Sequence, residues 1–170
     1  MGERNTILAI AVALVACATD LRARRIPNLL TFSAAVAGLG WHALGGWAAL
    51  GWSLGGLVIG LAIFFPLFLL RGMGAGDVKL LAALGAWLGP ASIAWVAAYA
   101  AIAGGALAIA VALGAGYLRP LFTNVWLLLT HWRVAGVKPL DSLTLDKGNG
   151  PRLAYAVPIA VGLVCAIWLR

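Results

Sequence analysis

Residues 77–118 read DVKLLAALGAWLGPASIAWVAAYAAIAGGALAIAVALGAGYL, and after Lys79 no charged side chain occurs until Arg119. One crossing of a bilayer needs about 20 apolar residues, so this run is about twice too long for a single span. Gly89-Pro90 is its natural interruption and predicts a short fourth span followed by a longer fifth. The rest of the chain agrees with this reading. Of 170 residues, 64% are hydrophobic and only 10% charged, where soluble domains are nearer half apolar and a quarter charged. The mean hydropathy is +1.02. The expectation is an all-α, polytopic integral membrane protein with about six transmembrane helices, organised over residues 1–170 as a single membrane-embedded domain.

Outward from the central run, the first span is expected over 6–21, the second over 29–44 and the third over 48–70. Gly55, Gly56 and Gly60 in the third permit close helix approach, and Pro66 should loosen its end. The sixth is expected over 153–169. Between the fifth and sixth lies the one substantial loop, 119–152, whose apolar first part, 121–134, is expected to lie on the membrane as an interfacial helix. Arg119, Arg133, Lys138, Lys147 and Arg152 all belong to this loop.

Nearly all Lys and Arg fall in the first, third and fifth connections, whereas the opposite side has only Arg4 and Arg170 at the ends. The positive-inside rule therefore puts the odd connections in the cytoplasm and both termini outside. The same rule disposes of an apparent processing box. Leu14-Val15-Ala16-Cys17 mimics a cleavable signal, but its positive charges, Arg22, Arg24 and Arg25, follow the apolar stretch instead of preceding it, so a retained span is expected. The formal net charge of +7 has the same topological origin; the basic residues form no tract interleaved with aromatics, and nucleic acid is not an expected partner. Cys17 and Cys165 are far apart and form no CxxC pair, so neither a metal site nor a disulfide framework is indicated.

Only five acidic residues occur, and two sit at the edges of apolar spans: Asp20 closes the first and Asp77 opens the fourth. Two spans separate them, so the chain crosses and returns, and both carboxylates reach the same, cytoplasmic, face. A carboxylate at membrane depth is expensive and marks a functional site. Each could simply pair with a nearby cation, Asp20 with Arg24 or Arg25 and Asp77 with Arg71 or Lys79. As a pair on one face they could share a proton, the ionised member drawing a proton from water while the protonated member polarises a peptide carbonyl. Gly72, Gly74 and Gly76 before Asp77 permit tight turns and an extended substrate beside the backbone. The run is no phosphate loop, because Lys79 is misplaced and no Gly-Lys-Ser/Thr appears. His42 and His131 are isolated, no HExxH occurs, and Ser33, Ser53 and Ser92 have no paired base, which leaves carboxylate chemistry without metal or cofactor.

Asp20-Leu21-Arg22-Ala23-Arg24-Arg25-Ile26-Pro27-Asn28 resembles the first-aspartate motif of type IV prepilin peptidases. Gly74-Ala75-Gly76-Asp77-Val78-Lys79 resembles their second, GxGD followed by Lys. Tyr155-Ala156-Val157-Pro158-Ile159-Ala160 is similar to a weaker pattern in their last span. The resemblance covers residues 6–90 well and the rest loosely. It implies an aspartic endopeptidase of the bacterial inner membrane that removes the short basic leader of prepilins or pseudopilins at the cytoplasmic face. Asp20 and Asp77 would then be the catalytic pair, with Gly74, Gly76, Pro27 and Asn28 shaping the site and Lys79 and Arg25 as electrostatic support. Longer family members insert a segment with two CxxC pairs between the first spans and can methylate the new N-terminus. The connection here, 22–28, is short and lacks cysteine, which is closer to the minimal peptidases of tight-adherence (Flp) systems and implies cleavage without methylation.

Other readings stay open at this stage. A presenilin-like enzyme shares GxGD but pairs it with Tyr-Asp, whereas Thr19 precedes Asp20 here. A proton-coupled transporter would want its carboxylates nearer the midplane. A non-catalytic pilus-assembly protein would tolerate loss of either Asp.

Overall fold

The computed structural model describes residues 3–136 and 153–169. These residues form six helices and no strand: α1 (Glu3–Ala23), α2 (Asn28–Ala43), α3 (Trp47–Leu69), α4 (Ala75–Gly114), α5 (Leu118–Ala135) and α6 (Ala156–Trp168). The expected spans begin and end within about one turn of these helices. The all-α expectation therefore holds. By length and composition α1, α3 and α4 can each cross a membrane, while α6, at 13 residues, is a shorter apolar helix and α2 has 16 residues.

The first helix is inside out relative to an amphipathic helix of a soluble protein. In α1 the buried positions are Ala9, Ala13, Ala16 and Asp20, which recur every three or four residues along one face, while Ile7, Leu14, Val15 and Leu21 point outward. Small side chains face the bundle and large apolar ones face away, as expected when lipid replaces water and close backbone approach drives association. Because Asp20 continues the alanine stripe, helical periodicity alone carries its carboxylate inside. In α3 the inward stripe is Ser53, Gly56, Gly60 and Phe64. There the approach to α4 is so close that a Cβ on Gly56 would sit 2.0 Å from the Gly85 carbonyl oxygen, and one on Gly60 would sit 2.6 Å from that of Leu81.

The fourth helix is the hub and touches every other helix. It carries much of the core, including Leu80, Leu81, Leu84, Leu88, Ile93 and Val96, which meet Ile159 and Leu163 of α6. It is not one rod. Gly89 has φ 75 and ψ 177, a left-handed-side conformation that only glycine adopts without strain, and Pro90 follows it. The Trp52 ring occupies the space a side chain at Gly89 would need. The two arms run in opposite senses. Asp77 begins the first, and Gly104, on the second, packs against Tyr155, whose phenol feels the Asp77 charge, so the chain has returned to the face it left.

Beyond the second arm, α5 covers the stretch expected as an interfacial helix and leans on α4. Phe122, Val125, Trp126 and Leu129 lie exposed along one side. Lys138, Asp141, Asp146, Lys147 and Arg152 lie outside the described residues.

Candidate active site

Asp20 and Asp77, 57 positions apart in sequence, line one open cavity of about 680 Å³. Its wall comes from the end of α1 and the connection to α2 (Thr19 to Asn28) and from Gly74 to Asp77 at the start of α4. Asp20 is only 7% exposed, and its charge acts directly on Asp77. The shared face inferred from counting spans is therefore one shared cavity.

Each carboxylate is held by a helix end. Asp77 is the third residue after Gly74, which caps α4; its backbone N–H donates to the Gly74 carbonyl at 3.2 Å, and its carboxylate lies against the Gly74 N–H. This is half of a capping box, with glycine in place of the usual Ser or Thr. A Cβ on Gly74 would come within 3.1 Å of Asp77 Oδ2, so glycine leaves that oxygen room. Gly76 makes room elsewhere. A Cβ there would meet Ile26 at 3.1 Å, so its bareness lets the α1–α2 connection close on α4.

The Asp20 carboxylate takes a hydrogen bond from the other side of the bundle. The Ala156 backbone N–H, in the first turn of α6, donates to Asp20 Oδ2 at 3.3 Å. One turn earlier on α1, the Cys17 thiol donates to the Ala156 carbonyl at 3.1 Å. Sequence reasoning assigned nothing to Ala156, because a backbone amide has no residue-type signature. The only pointer was the weak pattern around Tyr155.

Pro27 caps α2 with φ −61 and ψ 133, and its carbonyl accepts from Leu30 at 3.1 Å, so it starts the second helix as expected. The Lys79 ammonium donates to Asn28 Oδ1 at 2.9 Å and sits 5.5 Å from the Phe32 ring centroid. It thus ties α4 to the start of α2 and reaches Asn28 instead of either carboxylate. Arg25 lines the cavity with Arg22 and Arg24. Arg24 and Arg71 have φ 52 and 56, in the left-handed region, where a side-chain-bearing residue costs on the order of 1 kcal/mol. They terminate α1 and α3 at the face where the cavity opens, which is where stored backbone strain commonly collects.

Residues 7–109, more than half of the chain, match the type IV leader peptidase family. The chain belongs to that family. A prepilin leader peptidase/N-methyltransferase of Aeromonas hydrophila is 43% identical over 77 residues, covering 41% of this chain and 27% of its own. One from Burkholderia pseudomallei (strain 1026b) is 37% identical over 106 residues, covering 58% of this chain and 34% of its own. The chain thus spans about a third or less of the length of these relatives. No solved structure matches. The matched segment contains both aspartates and ends before α5 and α6, so the Ala156 contact comes from outside it.

Proposed function

We propose that this chain is a membrane aspartic endopeptidase that removes the basic leader of a prepilin or pseudopilin, with Asp20 and Asp77 as its catalytic pair. The observation that carries the reading is the convergence of two carboxylates on one cavity at the ends of apolar helices, with the charge of Asp20 reaching Asp77. Two such groups share a proton; the ionised one activates water, and the other protonates or polarises the scissile carbonyl. Gly74 and Gly76 keep the wall beside Asp77 bare enough for an extended peptide, while Pro27 and Asn28 set the rim through the start of α2. Lys79 acts on the site through Asn28, and Arg25 adds positive charge at the mouth.

The chain spans the bacterial inner membrane six times, with the two arms of α4 counted separately, the cavity cytoplasmic and the termini periplasmic. Residues 1–170 act as one peptidase unit, and α5 lies at the interface. The relatives named above carry a second, methyl-transferring activity in their names, and this chain lacks it. Four residues, 24–27, separate α1 from α2, too few for a further domain, and they contain no cysteine. In this respect the chain is similar to the minimal tight-adherence peptidases.

Purified protein in lipid nanodiscs, incubated with a prepilin and S-adenosylmethionine, is expected to yield a mature subunit with an unmodified amine, read by mass. An intact leader with every candidate prepilin would remove the peptidase reading. An added methyl mass would remove the single-activity reading alone.

A further inference from the structure

The last helix has no acidic or basic residue in its first turn and contributes nothing to the cavity lining, yet its first amide reaches the Asp20 carboxylate. Ala156 is wholly buried, so no water competes for that hydrogen bond. Residue 156 is gripped on both sides, its N–H by Asp20 and its carbonyl, in the next peptide unit, by the thiol of Cys17, three residues earlier on the same face of α1. Its position is fixed from behind as well. The Tyr155 ring packs edge-on against Phe64 of α3 at 5.8 Å and fills the space beside Gly104, where a Cβ would stand 2.8 Å from the phenol oxygen. Further along α6, a Cβ on Gly162 would lie 2.6 Å from the Ala100 nitrogen and the Val96 carbonyl oxygen, so the helix cannot slide along α4.

Resting on the two-aspartate reading above, we infer that the backbone N–H of Ala156 is a positioning group of the site: it fixes the orientation of the Asp20 carboxylate within the pair. An N–H donated to a carboxylate favours the charged state, and the unsatisfied amides at a helix N-terminus add positive potential in the same direction. The α6 amide thereby makes the acid–base properties of the pair depend on the docking of a helix 136 positions away.

The test replaces one atom. Lactic acid incorporated in place of Ala156 gives a backbone ester with no N–H and almost the same shape. Because the two carboxylates titrate as a pair, the sum of the two apparent pKa values of the kcat/KM profile should rise by about 0.5–1 unit, whichever member ionises first. Cys17→Ala, which frees the carbonyl of the same residue, should move the sum in the same direction by less. Gly162→Ala provides the structural control. It should lower thermal stability by crowding α6 against α4 and leave the pH limbs of the remaining folded enzyme in place. An ester whose rate falls equally at every pH, with an unmoved sum, overturns the inference, and so does an ester indistinguishable from the parent. Asp20→Asn separates the two levels: if it still cleaves, the two-aspartate reading fails, and if it is inactive while the ester profile is unmoved, only the Ala156 role fails.

Discussion

The two ends of the bundle each bury a titratable side chain, and they treat it in opposite ways. At the end where α1 begins and α2 finishes, His42 is 9% exposed, about as buried as Asp20 at 7%. Its Nδ1 lies 2.8 Å from the Gly38 carbonyl and its Nε2 lies 3.1 Å from Asn5 Nδ2, so one neutral tautomer satisfies both contacts. Trp52 and Trp87 close over the ring at 5.2 and 6.4 Å, and the Trp87 indole in turn donates to Ala34 O. Both ring nitrogens are satisfied there. At the other end, Asp20 receives, among the described residues, one long hydrogen bond and borders a cavity shared with a second carboxylate. Burial alone therefore does not mark a site. What distinguishes the end proposed as the active site is polar capacity turned toward open space.

That contrast can be broken most directly at the carboxylates. Asp20→Asn and Asp77→Asn should each lower cleavage by about 10³-fold or more while the protein still inserts, because an amide cannot exchange the required proton. Residual cleavage near the parent rate in either inserted variant would make the cavity end as inert as the His42 end. The next largest effect is expected between the two ends. Gly56→Ala drives a methyl group into the Gly85 carbonyl. Since backbone must move to admit it, the loss of stability should be about 3 kcal/mol or more, measured by reversible unfolding in mixed micelles. Parent-like stability would mean that the α3–α4 contact yields more readily than its geometry implies.

At the far end, His42→Ala should cost about 2 kcal/mol, through the lost packing between two tryptophans and an unpaired Asn5. Its kcat/KM per folded molecule should stay close to the parent's; a large catalytic loss would join the two ends functionally. The smallest effect is expected from Lys79→Met, which keeps the aliphatic stem against Phe32 and deletes the donor to Asn28. Loosening the α1–α2 connection in this way should lower kcat/KM by about tenfold without abolishing it. Complete inactivity would instead bring Lys79 into the chemistry.

Much of this molecule is legible in its residues alone. Span positions follow from apolar runs and from Gly and Pro interruptions, since a bilayer accepts little else than closed helices. The two aspartates are picked out by the cost of placing charge there, and their common face follows from counting crossings. Pro27 as the start of α2 is equally local, because its ring fixes φ. The division of α4 at Gly89 is half local: Gly-Pro predicts an interruption, but the Trp52 ring filling the space beside it is a tertiary fact. Lys79 shows where local reasoning stops. Its sequence neighbour is Asp77, and proximity in sequence suggested electrostatic support for that carboxylate, yet its ammonium goes to Asn28, 51 positions away. Residues two apart on a helix point to different faces, so only the placement of α2 against α4 could choose its partner. Ala156 is the extreme case. Its side chain carries no chemistry, and its amide matters only because α6 docks with that one N–H facing Asp20. The sequence by itself determined which side chains could do chemistry and that two of them meet at the same end of the bundle. The tertiary structure alone decided which backbone groups hold them, because every residue but proline carries the same amide and only packing selects one to be left free.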